Sequence, residues 1–141
     1  MASILKVDTL TGVTTAGSIS VTGEGNSTTT NLQQGLAKAW INFNGQGTPA
    51  ARDSFNHASL TDNGTGDYTP AFTSSFSNVN YSCSAFNFGN TTVDTNSRQF
   101  GSNTKTTSNI RIRAGYGPGT SGGLTLYDSQ GHDMNFMGDL A

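Results

Sequence analysis

The chain has 141 residues, 33% hydrophobic and 11% charged, with a formal net charge of -2. It holds 21 Thr, 16 Ser, 14 Asn and 18 Gly, together 69 of the 141, so its polarity lies in neutral hydroxyls and amides rather than in charge. That length allows one domain, or a small domain with an extended arm, and that composition disfavours long helices, because these residues each weaken helix or compete with it. The low charge and the three Pro set it apart from disordered chains. The basic residues form no cluster beyond the spaced pair Arg111 and Arg113, which excludes a phosphate-neutralising nucleic-acid surface. No apolar run approaches the length of a membrane span, and the opening MASILKVDTL lacks the regions of a signal peptide. Cys83 is the only cysteine, so an intrachain disulfide and a cysteine metal site are excluded, and synthesis in a reducing cytosol is expected. So few apolar residues in a β-rich chain favour an oligomer that shares its core.

Residues 1–30 form an expected extended arm with two short strands, Ile4–Leu10 and Ser18–Thr22, separated by TGVTTAG. Leu5 and Val7 share one face of the first while Lys6 and Asp8 share the other, and Ile19 and Val21 alternate with Ser20 and Thr22. This period-2 pattern marks half-buried strands. Two strands cannot stand alone, so Leu5, Val7, Leu10, Ile19 and Val21 are expected to dock on identical arms or on another protein. Residues 31–40, NLQQGLAKAW, predict one short junction helix. Asn31 can cap it, and Leu32, Leu36 and Trp40 would form its apolar stripe. Gly35 weakens the helix by about 1 kcal/mol, and a single turn is the competing reading.

Residues 41–141 read as the head: an antiparallel β-sandwich, Ig-like or jelly-roll-like, with turns spaced roughly every 8–12 residues. In AWINFNG the alternation sets Trp40, Asn42 and Asn44 against Ile41 and Phe43. ARDSFNHASLTD leads to the Asn-Gly turn of DNGTGD, where both residues tolerate positive φ. NYSCSAFNFG sets Tyr81, Cys83 and Ala85 against Ser82 and Ser84, and NIRIRAGYG sets Ile110 and Ile112 against Arg111 and Arg113. Two long polar segments, 89–108 and GYGPGTSGG, are expected as exposed loops. They make Asp94, Asn96, Arg98 and Tyr116 the candidate recognition residues.

No catalytic residue, metal ligand or cofactor site is assigned, and the chain is expected not to be an enzyme. Asp53, Asp62 and Asp67 could offer oxygens to Ca²⁺, but DNGTGD lacks the framing of a calcium loop and suits turn chemistry better. Asp53, Ser54 and His57 could be drawn as a triad, yet Ser54 and His57 diverge on a regular strand and no G-x-S-x-G elbow exists. His132 beside Asp133 is equally isolated. GYGPGTSGG lacks the Lys-Ser/Thr and the helix of a phosphate loop.

The stretch KAWINFNGQGTPAARDSFNHASLTDNGTGDYTPAF, with Lys38–Trp40, Asn42, Phe43, Arg52–Asn56, Ser59–Tyr68 and Phe72, closely resembles a segment of tail-fibre-like virion proteins of tailed bacteriophages, notably marine ones. The lead-in from ILKVDTL to Trp40 and the ending NFMGDLA are similar to the same family, whereas residues 86–125 match it only in general character. The resemblance implies a homotrimeric structural protein of the virion, made in the host cytoplasm, without enzyme activity or cofactor. It implies partners in the tail or capsid reached through the arm, and a host surface glycan or receptor at the head, with no nucleic acid and no membrane insertion. The expected function is therefore a small tail fibre for host adsorption. The alternatives are a trimeric capsid decoration protein (a head fibre) and a carbohydrate-binding receptor module.

Overall fold

The computed structural model describes residues 4–13, 19–23, 28–89, 97–117 and 124–141, with the backbone alone for 97–99 and 103. All regular structure among these residues is β, paired antiparallel, with no α-helix. The chain divides into two units, Met1–Leu36 and Ala37–Ala141.

In the first unit, β1 (Ser20–Thr22) pairs with β2 (Thr29–Asn31), Ser20 opposite Asn31 and Thr22 opposite Thr29. Two further backbone bonds, Gly23 N to Thr28 O at 2.8 Å and Leu32 N to Ile19 O at 2.8 Å, lengthen the ladder at both ends. The strand expected at Ile4–Leu10 is absent: the segment has no ladder partner and its side chains lie in solvent. Alternation alone does not make a strand where no second edge is supplied. The junction helix expected at 31–40 is absent as well. Asn31 does cap a turn, with Gln34 N donating to its Oδ1 at 3.1 Å and Gly35 N to its carbonyl at 3.2 Å. The turn goes no further, because helix nucleation is costly, Gly35 resists it, and Ala39 and Trp40 are already bound into a strand. Leu32, Leu36 and Trp40 therefore share no helical stripe.

The second unit holds β3 (Ala39–Asn44), β4 (Ala50–Phe55), β5 (His57–Gly64), β6 (Asp67–Phe72), β7 (Ser82–Phe88), β8 (Ser97–Lys105), β9 (Ile110–Gly117), β10 (Thr125–Leu126) and β11 (Gly131–Met137). The smaller sheet runs β4-β3-β11-β7. The larger runs β10-β9-β6-β5, with β8 on the other edge of β9, and it curls into a half-barrel. One edge of β9 is shared end to end: β6 pairs with Ile112 and Arg113, and β10 with Gly115 and Tyr116. At the joint, Ala114 N donates to Gly66 O at 2.7 Å and Tyr127 N donates to Ala114 O at 3.1 Å. Gly66 has φ +62°, and a Cβ there would stand 2.3 Å from Ala114 O, so glycine is required.

The inner faces of the two sheets meet in one core. Ile41 and Phe43 of β3 and Met134 and Phe136 of β11 pack with Tyr68 and Phe72 of β6 and Ile110 and Ile112 of β9. The alternations read from AWINFNG and NIRIRAGYG are those observed. The segment 89–108 is not a loop throughout, since it contains β8, paired with β9 from Ser97–Gly117 to Lys105–Ile110. Of its nine residues, SRQFGSNTK, only Phe100 is apolar, so hydrophobic alternation could not mark it.

Strands β4 and β5 are one continuous path that leaves the smaller sheet and enters the larger at Asn56. This residue has φ +54°, a left-handed conformation that asparagine tolerates better than most residues. Its Nδ2 donates to Lys38 O and Ser74 O, both at 3.0 Å, and its Oδ1 accepts from Ser74 N at 2.6 Å. Asn56→Ala should cost about 3 kcal/mol in denaturant unfolding through lost hydrogen bonds and backbone strain. Asn56→Gly, relieved of the strain, should cost about 1 kcal/mol less. Equal stability of all three proteins would rule out the corner as a structural determinant.

Candidate functional site

The outward face of the smaller sheet is built by strand phase. Ile41 and Phe43 point inward on β3, so Trp40, Asn42 and Asn44 point outward. Met134 and Phe136 point inward on β11, so Asp133 and Asn135 point outward. On β7, Cys83 lies against the core and Asn87 is buried, which turns Phe86 to solvent at 65% exposure. On β4, Ser54 opposes Ile41 and Phe55 opposes Trp40, which sends Phe55 outward. Two rows result across the strands: Phe55, Trp40, Asn135 and Ser84, then Asp53, Asn42, Asp133 and Phe86. Phe88 follows at the end of β7, its ring covering Gly131 where a Cβ would collide with it.

Between β3 and β11 this face holds a groove of about 360 Å³, lined by Trp40, Asn42, Asp133 and Asn135 together with Ile41 and Met134. Its polar groups are fixed in advance. Asn42 Nδ2 donates to Asp133 Oδ1. Arg52 from β4 donates through Nη1 to Asn42 Oδ1 at 3.3 Å and Phe43 O at 3.2 Å, and through Nη2 to Gln130 O. Arg52 therefore sets the orientation of the Asn42 amide, and the amide in turn holds the Asp133 carboxylate.

The outward face of the larger sheet has a different character. Asp67, nearly buried, receives Arg111 Nε at 2.8 Å and Nη2 at 3.0 Å in a two-pronged pair, and Arg113 Nε at 3.1 Å. The hydrogen bonds from Arg111, helped by Arg113, hold the Asp67 carboxyl below its ordinary range against the opposing effect of burial. A lowered folded pKa gives stability that is complete above the unfolded value and is lost as pH falls through the folded one. Asp67→Asn should therefore unfold at lower denaturant than wild type at pH 7, and the gap should close as pH drops below about 4. A gap independent of pH would contradict the ion-pair account.

Two further polar features serve the fold. The Tyr68 hydroxyl reaches Asp128 Oδ1 at 2.7 Å and Gly45 O at 3.0 Å, while Gly66 N donates to the same Asp128 oxygen at 2.7 Å. Burial first, and then the Asp128 carboxylate, push the phenol well above its ordinary range. Beside it His132 is buried and stacked on Phe43, ring centres 4.4 Å apart. Between the two sheets, beside β7 and β8, a second cleft of about 180 Å³ is lined mainly by Cys83, Ala85, Phe100, Ile110, Ile112 and Met134. Burial pushes the Cys83 thiol up to about 11, so it behaves there as an apolar group.

The residues singled out in the sequence separate. Asp53 and Ser54 point to opposite faces of β4, and His57 lies past the Asn56 corner in the other sheet, so the three form no triad. Asp62 Oδ1 accepts Gly64 N at 2.9 Å and Asp53 Oδ1 accepts Ser54 N at 2.8 Å, the local backbone bonding expected of them. Asp67, grouped with those turn residues, belongs instead to the pair with Arg111 and Arg113. Leu5, Val7, Leu10, Val21 and Leu36 are exposed, and Ile19 and Leu32 half-buried. Trp40, expected in a junction, lies half-buried on the outer face of β3. Asp94 and Asn96 lie outside the described residues, as does the side chain of Arg98, whose backbone is in β8 rather than in a loop. Tyr116 is likewise on a strand, β9, half-buried with its ring 6.3 Å from that of Tyr127.

Comparison with protein-family models, with curated proteins and with solved structures finds no match. The outer face of the smaller sheet was missed in the sequence although a signal for it exists. Once Ile41, Cys83 and Met134 are set inward, Trp40, Phe86 and Asp133 fall in the opposite phase, and two of those three are aromatic.

Proposed function

We propose that this chain is a structural protein of a tailed-phage virion, a small homotrimeric fibre. Its N-terminal unit would be fastened to the particle or to identical arms, and its β head would serve host adsorption. The observation that carries the reading is the exposed apolar series at the start of the chain. Leu5 is 79% exposed and Val13 96%, and Ile4, Val7 and Leu10 are more than half exposed. Five such exposed side chains within ten residues are costly to leave in water, and their concentration in one segment favours a partner that covers them. The resemblance of the 38–72 stretch and of the lead-in to phage fibre proteins supplies the kind of partner.

We read the head more finely as a jelly-roll-like sandwich. Two features support this: β3 and β11, the first and last strands of the unit, are neighbours in one sheet, and both sheets feed a common core.

Light scattering of the full chain should give three times its 14.7 kDa mass. The double variant Leu5→Asp, Val7→Asp should lose that mass or lose incorporation into particles, while its unfolding midpoint stays at the wild-type value. A chain that is monomeric at every concentration and absent from purified virions would overturn the proposal. An antibody against the C-terminus, imaged on virions, separates a tail fibre from a capsid decoration.

A further inference from the structure

We infer that the outer face of the β4-β3-β11-β7 sheet is a binding site for a neutral oligosaccharide. The site is the groove of Trp40, Asn42, Asp133 and Asn135, flanked by Phe55 and Phe86. This would give the proposed adsorption role its ligand class.

Three observations carry it. First, the face presents aromatic rings that the core does not use. Phe86 is 65% and Phe55 53% exposed, and Trp40 is half-buried on the same side. The opposite outer face carries the Arg111–Asp67–Arg113 cluster instead. Second, between the rings stand an amide and a carboxylate already ordered by Arg52, so little entropy is lost when a ligand meets them. Third, the groove of about 360 Å³ falls within the usual size of small-molecule sites, which combine apolar walls with a few placed polar groups.

The chemistry selects among occupants. The face carries two carboxylates, Asp53 and Asp133, beside Asn42. They would repel the phosphates of a nucleic acid and the charges of an anionic glycan. A second copy of the chain laid on this face would take both carboxylates out of water. Arg52 lies beside them and keeps its charge, but the two carboxylates outnumber it, and its guanidinium hydrogens are turned to Asn42 Oδ1 and the carbonyls of Phe43 and Gln130. A neutral sugar meets every requirement. Its hydroxyls donate to the carboxylates and accept from the amides, and its C–H face lies flat on an aromatic ring. Trp40 on β3 and Phe86 on β7 are two strand spacings apart and one row out of line, about 12 Å, which matches a chain of sugars better than a single ring.

Trp40 is the only Trp of the chain, so its fluorescence reports on this groove without a label. The probe is a panel of unsulfated oligomers of glucose, galactose, mannose and N-acetylglucosamine, titrated into the full-length protein. At least one should change the Trp40 emission saturably. Phe86→Ala and Asp133→Asn should each weaken that binding at least about tenfold, and Thr61→Ala on the larger sheet should leave it unchanged. If Phe86→Ala lowers the unfolding midpoint, Asp133→Asn alone decides. The inference is overturned if no neutral oligomer perturbs Trp40, if both variants bind as wild type does, or if Phe86→Asp dissociates the oligomer, which would give the face to a second copy. Absence of the protein from virions would overturn the fibre proposal and leave saccharide binding by the purified protein intact, so the two fail separately.

Discussion

The corner at Asn56 is the constraint on which the second unit depends. One strand path, from Ala50 to Gly64, has to serve two sheets, and a regular strand would keep β4 and β5 in a single plane. The left-handed residue turns the path, and its side chain uses both its amide hydrogens and its oxygen to fasten the turn to Lys38 and Ser74. The chain reaches β3 at Lys38 and leaves β6 at Ser74. One side chain thus ties the entrance of the smaller sheet to the exit of the larger, and a single core becomes available to both.

The identity of the outer face follows from that closure. A chain this poor in apolar residues can fill one core only if the inward phase of each strand takes its best side chains. Ile41, Phe43, Met134 and Phe136 are spent that way. Trp40, Phe55 and Phe86 sit one residue out of phase and are left outside, on one sheet rather than scattered over both. The larger sheet answers its own outward phase with charge, Asp67 between two arginines. The contrast between the faces is the basis for assigning a ligand to one of them, and the exposed apolar series of the first unit is the separate basis for the proposed attachment to a particle.

Much of this fold was legible in the sequence where hydrophobic alternation is strong. NIRIRAGYG and AWINFN read correctly because the inward phase of each is wholly apolar. Besides the Ile4–Leu10 segment, which found no second edge, reading failed in three places for three physical reasons. Strand β8 has one apolar residue in nine and is held by backbone pairing, a nonlocal fact that no window of sequence contains. The segment 31–40 has a sound helix cap and a spaced apolar stripe, but tertiary pairing of Ala39 and Trp40 overrides a weak local preference. Asp67 stands in an Asn- and Gly-rich turn and looks like turn chemistry, whereas its partners Arg111 and Arg113 arrive from more than forty residues away. The candidate site was half legible. Trp40 and Asn42 were assigned to a common face and Asp133 was noted only beside His132, while Phe86 and Asn135 carried no signal of their own; β11 and β7 had to be placed beside β3 before that face acquired a carboxylate and the Phe86 ring.

The inferred saccharide site occupies the outer surface of the smaller sheet. Backbone amide chemical shifts, recorded with and without a saturating neutral oligosaccharide, test its location directly. The account predicts shifts concentrated at Trp40, Asn42, Phe86, Asp133 and Asn135, with Thr61, Thr69 and Arg111 on the opposite sheet unmoved. Shifts centred on the larger sheet, or on the ends of β8 and β9 near Tyr116, would contradict it.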